Sequence, residues 1–359
     1  MKIGKYEIKH PIIQGGMGVG ISWDQLAGNV SLEGGLGVIS AVGTGYYKNK
    51  SENIHIVTKK DKPKDVANFY NRDSLFEIVA NARKICGDLP LACNVLYAIN
   101  DYGRVVRDAC EAGINIIITG AGIPTNMPEF TKDFPDVALI PIVSSARALK
   151  LICKKWQRYN KLPDAVIVEG PLSGGHQGFT YDQCAQEEYQ LENIIAPVVE
   201  EAKAWGNIPI IAAGGVWDKN DIDKFIGMGC AGVQMATRFI GTFECDADAK
   251  FKNVLLNAKA EDIQLMKSPV GLPARGVMTN LQFSIENKTA PKVQCISNCV
   301  SPCNRGHEAK LVGYCIADRL GAAYNGDVET GLFFSGSNGY RIDKIISVKE
   351  LMEKLTVGE

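Results

Sequence analysis

The chain has 359 residues, 46% of them hydrophobic and 22% charged, with 39 Lys and Arg against 40 Asp and Glu for a formal net charge of −1. This composition argues against disorder, and the balanced charge gives no long-range attraction to nucleic acid or to an anionic membrane surface. The length suits a barrel with an added lobe better than a single average domain. The chain opens as Met1-Lys2-Ile3-Gly4-Lys5, with no apolar signal region, and no run approaches the ~18–20 apolar residues that span a bilayer. Of the 11 cysteines, Cys93, Cys110, Cys153 and Cys230 sit inside apolar segments, where a reduced thiol packs as a small hydrophobe. A reducing cytoplasm is the expected compartment.

In chain order, the pattern predicts a strand over 11–14 and a second over 37–41. A polar connection rich in Lys and Asn follows from 43 to about 70 and reads as a lid. A helix over 73–86 begins at an acidic cap and buries Leu75, Ile78, Val79 and Ala82 on one stripe. Strands over 91–96, 114–119 and 138–143 come next, then a helix over 145–156. A strand over 165–169 leads to a helix over 192–205, and a strand over 208–212 to a helix over 221–228 that stops at Gly229. The eighth strand is 231–235. Near-continuous apolar runs alternating with helices indicate a parallel sheet buried on both faces, and eight units favour a closed (β/α)8 TIM barrel of the α/β class. The Pro-rich stretch after the eighth strand breaks this rhythm. The expected division is a barrel over 1–241, an inserted cap over 242–310, and C-terminal helices over 311–359 packing on the barrel. Those helices are expected near 311–324 and 348–355.

Barrels of this kind carry their chemistry just beyond the strand C-termini. Here the first strand runs into Gln14-Gly15-Gly16-Met17, the third carries Asn94, and the fourth ends at Thr119-Gly120-Ala121-Gly122. The sixth is followed by Glu169-Gly170-Pro171-Leu172-Ser173-Gly174-Gly175-His176. The seventh leads to Gly214-Gly215, and the eighth carries Gln234-Met235-Ala236-Thr237-Arg238. The Gly214-Gly215 turn after strand seven, with the Thr237 hydroxyl in the adjacent turn after strand eight, predicts a phosphate site. Of four histidines, only His176 lies in a glycine-rich loop at a strand end; His10, His55 and His307 fall elsewhere. Imidazole suits proton removal from an activated carbon near neutral pH, although position alone leaves a structural role open.

Cys295, Cys299, Cys303 and Cys315 follow a C-x3-C-x3-C-x11-C spacing. Close thiolates can hold an iron–sulfur cluster or zinc, but these gaps match no standard signature and Pro302 interrupts a regular helix. Packing thiols with no metal are the expectation.

Taken together, the strand-end motifs resemble the nitronate monooxygenase family, also called 2-nitropropane dioxygenases. Residues Pro11 to Met17 are similar to its opening signature. Glu169 to His176 are similar to its catalytic loop, and Ile208 to Gly215 with Gln234 to Phe239 to its phosphate signature. The sequence departs at Gly18-Val19-Gly20-Ile21-Ser22, where many members carry an aromatic residue soon after the Met. The resemblance implies a noncovalent FMN contacted by Gln14, Gly15, Gly16, Met17, Asn94, Gly174 and Gly175. Its phosphate would be held by Gly214, Gly215, Gln234, Met235, Ala236 and Thr237. It also implies His176 as the base in oxidation of nitroalkanes or alkyl nitronates by O2 to a carbonyl compound and nitrite. A homodimer is left open. The related enoyl-acyl-carrier-protein reductase II shares the Gln-Gly-Gly-Met and Gly-Gly-His motifs and supplies the alternative: NAD(P)H-dependent reduction of an enoyl thioester, with an acyl-carrier partner.

Overall fold

The computed structural model describes residues 1–47, 69–290, 293, 295, 296, 299, 300, 303 and 312–358. Most of the expected lid, together with His55 and His307, lies outside the described residues.

A short antiparallel hairpin, β1 (Lys2–Ile3) and β2 (Tyr6–Glu7), precedes the barrel. The barrel strands are β3 (Ile12–Gln14), β4 (Gly37–Ser40), β5 (Leu91–Asn94), β6 (Ile116–Thr119), β7 (Ala138–Val143), β8 (Val166–Glu169), β10 (Ile210–Ala213) and β11 (Gly232–Met235). These eight pair in parallel in the order β3-β11-β10-β8-β7-β6-β5-β4. The two ends meet: Leu36 and Ile13 form a parallel bridge, Gln14 donates its N–H to the Leu36 carbonyl (3.0 Å), and Leu36 donates to Ile12 (2.9 Å). The Gln14 side chain seals the same seam, since Oε1 accepts the Val38 N–H at 2.9 Å. The sheet is therefore a closed barrel without an open edge.

Side chains alternate between two layers, as the two-residue period of a strand requires. Ile13, Val38, Ala92, Ile116, Ile118, Ile140, Ile167 and Ile211 fill the interior. Ile12, Ile39, Cys93, Ile117, Leu139, Val168 and Ala212 pack outward against the helices. Ile3 and Ile8 join the interior cluster, so the hairpin stoppers the barrel at the strand N-terminal end. Carrying the alternation one step upward puts Asn94, Glu169 and Gln234 on the inward side of the opposite mouth.

The outer helices include α1 (Asp24–Leu32), α2 (Arg72–Cys86), α3 (Tyr102–Glu111), α4 (Met127–Phe130), α5 (Ala146–Trp156), α6 (Tyr181–Ala185), α7 (Leu191–Ala204) and α8 (Lys219–Gly227). Helix α2 is capped by Asn71, whose side chain accepts the Ser74 N–H, and not by Asp73, which sits inside its first turn. Helix α1 packs directly on the sheet: a Cβ on Gly37 would land on the Ala27 carbonyl, so any larger residue there forces helix and strand apart. Its N-terminus is capped from 220 residues away, where Asp246 accepts the N–H groups of Trp23, Gln25 and Leu26.

Beyond β11 the chain leaves the barrel through α9 (Thr237–Ile240) and α10 (Ala249–Leu256). It then builds a second sheet from β12 (Ile263–Lys267), β13 (Pro273–Val277) and β14 (Phe333–Phe334). The fourth strand of that sheet is β9 (Gly175–His176), contributed by the loop after β8 and paired antiparallel with β13. Helices α11 (Asn280–Glu286) and α12 (Ile316–Tyr324) flank it. The last helix, α13 (Val348–Val357), returns to pack between α1 and α8 and completes the outer ring. Among the described residues, no helix is long and apolar enough to cross a membrane.

Candidate active site

At one end of the barrel mouth, the loops after β8, β10 and β11 converge. Gly214 and Gly215 have φ of +96° and +87°, a conformation that only glycine adopts without strain. A Cβ on Gly214 would stand 2.8 Å from the Gly170 carbonyl, so the turn also depends on close approach of two main chains. Among the described residues, the N–H groups of Gly174, Gly214 and Gly215 donate to no protein acceptor. Clustered unbonded N–H groups form a concave anion site. Arg238 lies beneath it, stacked on Trp217 and donating to the Trp217 carbonyl. This cradle fits a phosphate group.

The chain also supplies a turn that no motif announced. Residues Ser335 to Gly339, directly after β14, cross over the cradle and tie its three loops together. The Gly336 N–H donates to Thr237 Oγ1 (2.9 Å), and Ser337 donates to the Leu172 carbonyl (3.0 Å). Asn338 Nδ2 donates to the Gly215 carbonyl (2.7 Å). Because Thr237 Oγ1 accepts the Gly336 N–H, its own hydrogen is free to point elsewhere.

The other expected contacts lie beside the cradle, where β3 and β5 approach β11. A Cβ on Gly16 would overlap Asn94, and one on Gly15 would stand 3.3 Å from the Gln234 side chain, so the first, third and eighth strands meet there. Met17 is held by its N–H to Ser22 Oγ at 2.8 Å. Met235 contributes main chain only: its carbonyl accepts the Gly15 N–H, and its side chain is buried in the outer layer. Ala236 closes this side, its Cβ 3.2 Å from a Cβ placed on Gly15.

His176 sits where β9 joins the second sheet, opposite Ala274. Its Nε2 meets Ser268 Oγ at 2.8 Å, and the ring packs edge-on against Phe334 with centroids 5.4 Å apart. Enclosure by protein lowers its pKa to about 4, so the imidazole is neutral throughout the physiological range. Glu169 opens the loop signature that ends at His176, but the sequence assigned it no role. It is the last residue of β8, faces the mouth, and has its pKa raised to about 7 by burial, with no ion-pair partner among the described residues. A carboxyl that is half-protonated near neutrality is unusual and marks the mouth as a place where charge is disfavoured.

The cap cysteines are buried or half-buried. Burial, followed by the proximity of Cys315, Cys303 and Cys295, pushes the Cys299 thiol up to about 11. Among the described residues, no group of three or more His, Cys, Asp or Glu side chains is placed to hold a metal ion.

The family model described as nitronate monooxygenase matches residues 1–358. A probable nitronate monooxygenase of Staphylococcus saprophyticus is 27% identical over 288 residues, covering 76% of this chain and 77% of its own. The nitronate monooxygenase of Pseudomonas aeruginosa is 26% identical over 294 residues, covering 77% and 79%. Among solved structures, FabK from Thermotoga maritima superposes with a TM-score of 0.72 at 26% identity, covering 98% of this chain and 93% of that one. With a match across essentially its whole length and a (β/α)8 barrel carrying glycine-built turns at its mouth, this chain belongs to the nitronate monooxygenase family of oxidoreductase enzymes.

Proposed function

We propose that the protein oxidises alkyl nitronates, and the nitroalkanes that give rise to them, with FMN as cofactor and His176 as the base. The observation that carries this reading is an anion cradle, built from three loops, one of which also carries a neutral, enclosed imidazole. Gly174, Gly214, Gly215 and Thr237 would hold the FMN phosphate; Gly15, Gly16, Met17, Asn94, Gly175 and Gln234 would line the rest. FMN, when bound, would supply the electron acceptor for the substrate and the route to oxygen by which a carbonyl compound and nitrite form.

The protein's own part is to bind, orient and move one proton. A nitroalkane seated beside His176 loses a C–H proton to the imidazole, and the electron pair of that bond stays on the substrate as the nitronate. A pKa near 4 makes His176 a weak base in isolation. The transfer, however, creates a cation beside an anion in an enclosed site, and their attraction raises the effective basicity.

The similarity to FabK supports a second reading, reduction of an enoyl thioester by NAD(P)H. One anaerobic experiment separates the two. Purified protein should release FMN on denaturation, and its flavin absorbance should bleach with an alkyl nitronate and not with NADH. Rapid bleaching by NADH alone would favour the reductase, and protein that takes up no FMN would remove both readings.

A further inference from the structure

Glu169 is the only Asp, Glu, Lys, Arg or His in the eight barrel strands. It pairs in register with Ala213, a member of the interior cluster, so its side chain points into the barrel mouth and away from the helices. On one side of it stands the Ala213 methyl; on the other, β7 brings Ile142, which packs on the interior cluster. Neither side chain can hydrogen-bond. Among the described residues the Glu169 carboxyl has no hydrogen bond and no ion pair. Two side-chain polar atoms there are sealed from solvent without a partner, Ser74 Oγ and Arg275 Nε, and the Glu169 oxygens are not among them. Those oxygens therefore open onto accessible space, although protein surrounds the half-buried residue closely. A carboxyl that is enclosed, without a partner and still reachable is placed to meet a ligand.

What the ligand meets depends on the proton of that carboxyl, because the surrounding elements supply no counter-charge. Strands β7 and β10 contain no charged residue, and the loop from Gly170 to Gly175 has no ionisable side chain. His176, next in the loop, is neutral above about pH 4. Arg275 reaches the loop at the Pro171 carbonyl (2.9 Å) and makes no ion pair with Glu169, and Arg238 stacks on Trp217. Helix α7, which packs on the outer face of β8, carries its charges in other contacts. Glu192 pairs with Lys224, Glu200 with Lys203, and Glu201 accepts the Trp205 indole N–H. With no cation to hold the charged form, burial raises the Glu169 pKa to about 7, so the group is neutral on the acid side of neutrality and ionised on the alkaline side. As an acid it has one O–H to donate; as a carboxylate it has only lone pairs and a negative charge.

We propose that Glu169 selects the substrates of this site by charge: as a neutral acid it donates a hydrogen bond to an oxygen of an anionic substrate, and as a carboxylate it repels that substrate. This rests on the reading of the mouth as a nitronate site, since a nitronate is a planar anion that presents two oxygens. No bond to the substrate is made or broken at Glu169; binding of the anion only holds the proton on the carboxyl. The cradle differs, because its main-chain N–H groups offer the same donors at every physiological pH.

Calorimetric binding of butanoate to protein saturated with FMN tests this without turnover. Butanoate has the planar charge of a nitronate and stays ionised from about pH 6 to about pH 9; butanamide is its uncharged counterpart. Butanoate affinity should fall by on the order of 10–10²-fold across that range, and butanamide affinity by no more than about 2-fold. At about pH 8 each butanoate bound should bring roughly one proton onto the protein, read from the dependence of the heat on the ionisation enthalpy of the buffer. In Glu169→Gln, which keeps the size of the side chain and a donor, both the pH dependence and the proton uptake should vanish. Wild-type protein whose butanoate affinity is flat over the range, that takes up no proton, or that binds no butanoate at about pH 6 would overturn the proposal. A pH dependence that survives in Glu169→Gln would overturn it too, because another group would then be titrating. A wild-type enzyme that binds butanoate as expected but oxidises neither nitroalkane nor nitronate would sink the proposed function and leave the charge selection by Glu169 in place.

Discussion

At the Thr237 end of the cleft the working groups are main-chain N–H donors in turns built from neighbouring glycines. At the His176 end they are side chains from three separate segments: the loop after β8, the residue following β12, and β14. The difference follows from the chemistry. A phosphate is recognised by any concave set of N–H groups, which a short turn with positive φ supplies locally. A base must be neutral and shielded from water. Those conditions need enclosure from several directions, which no single segment can provide.

The contrast can be broken most sharply at His176. Replacing it with Asn should leave FMN bound, because the cradle does not use the imidazole. It should lower the rate with a neutral nitroalkane by about 10²–10⁴-fold, and much less with a preformed nitronate. Steady-state rates for the two substrate forms decide this, and equal losses would deny His176 the role of base.

The cradle should answer to a different change. Gly214→Ala puts a Cβ 2.8 Å from the Gly170 carbonyl in a backbone region hostile to side chains. That strain costs about 1–3 kcal/mol, which corresponds to roughly 5- to 150-fold in affinity if it falls on binding. FMN should weaken more than riboflavin, which lacks the phosphate, as measured by fluorescence titration. Equal weakening would mean that the turn shapes the whole mouth.

The pH dependence probes the His176 end again. Below its pKa the imidazole holds a proton and cannot accept another. Burial lowers that pKa to about 4, so the rate with nitroalkanes should show no limb for this group near 6.5 and should fall only as pH approaches 4. Stability has a matching sign. The unfolded histidine takes up a proton near 6.5 and the folded one does not until about 4, so this group's contribution destabilises the fold as pH falls through that window. A kinetic limb at 6.5 that disappears in His176→Asn would show the ring to be more open than the fold implies.

Smaller effects should come from the 335–339 turn and the cap cysteines. Asn338→Ala removes one bond to the Gly215 carbonyl and should weaken FMN by several-fold, about 1 kcal/mol. Cys299→Ser should leave the flavin spectrum and rate nearly unchanged, with a lower melting temperature from placing a hydroxyl in an apolar site. Loss of a broad absorption shoulder near ~400 nm, together with measured iron, would contradict the reading of these thiols as packing.

Much of the barrel was legible because each buried strand is an apolar run that ends at a glycine or a polar residue. The cradle was legible for a related reason: Gly214, Gly215 and Thr237 lie within a few residues of their strands, and no distant partner is needed to see them. Helix α1 was harder to foresee. Asp24–Leu32 contains a glycine, an asparagine and a serine, and its N-terminus is capped by Asp246 from another segment. The Asn71 cap was displaced in the reading by the acidic residue two places on, which only stands near the helix start.

What the sequence by itself determined is whatever depends on periodicity and on adjacent residues: eight parallel strands, four of the helices between them, the glycine turns and the isolation of His176 among four histidines. What the tertiary structure alone decided is the environment of that histidine. Gly175–His176 becomes a strand only because Pro273–Val277, about 100 residues later, accepts it as a neighbour. Ser268, which meets His176 Nε2, is an ordinary residue in sequence, and the 335–339 turn follows a strand of two residues. Their roles arise from hydrogen-bond partners and enclosure, and both are properties of what stands nearby in space, which local pattern does not encode.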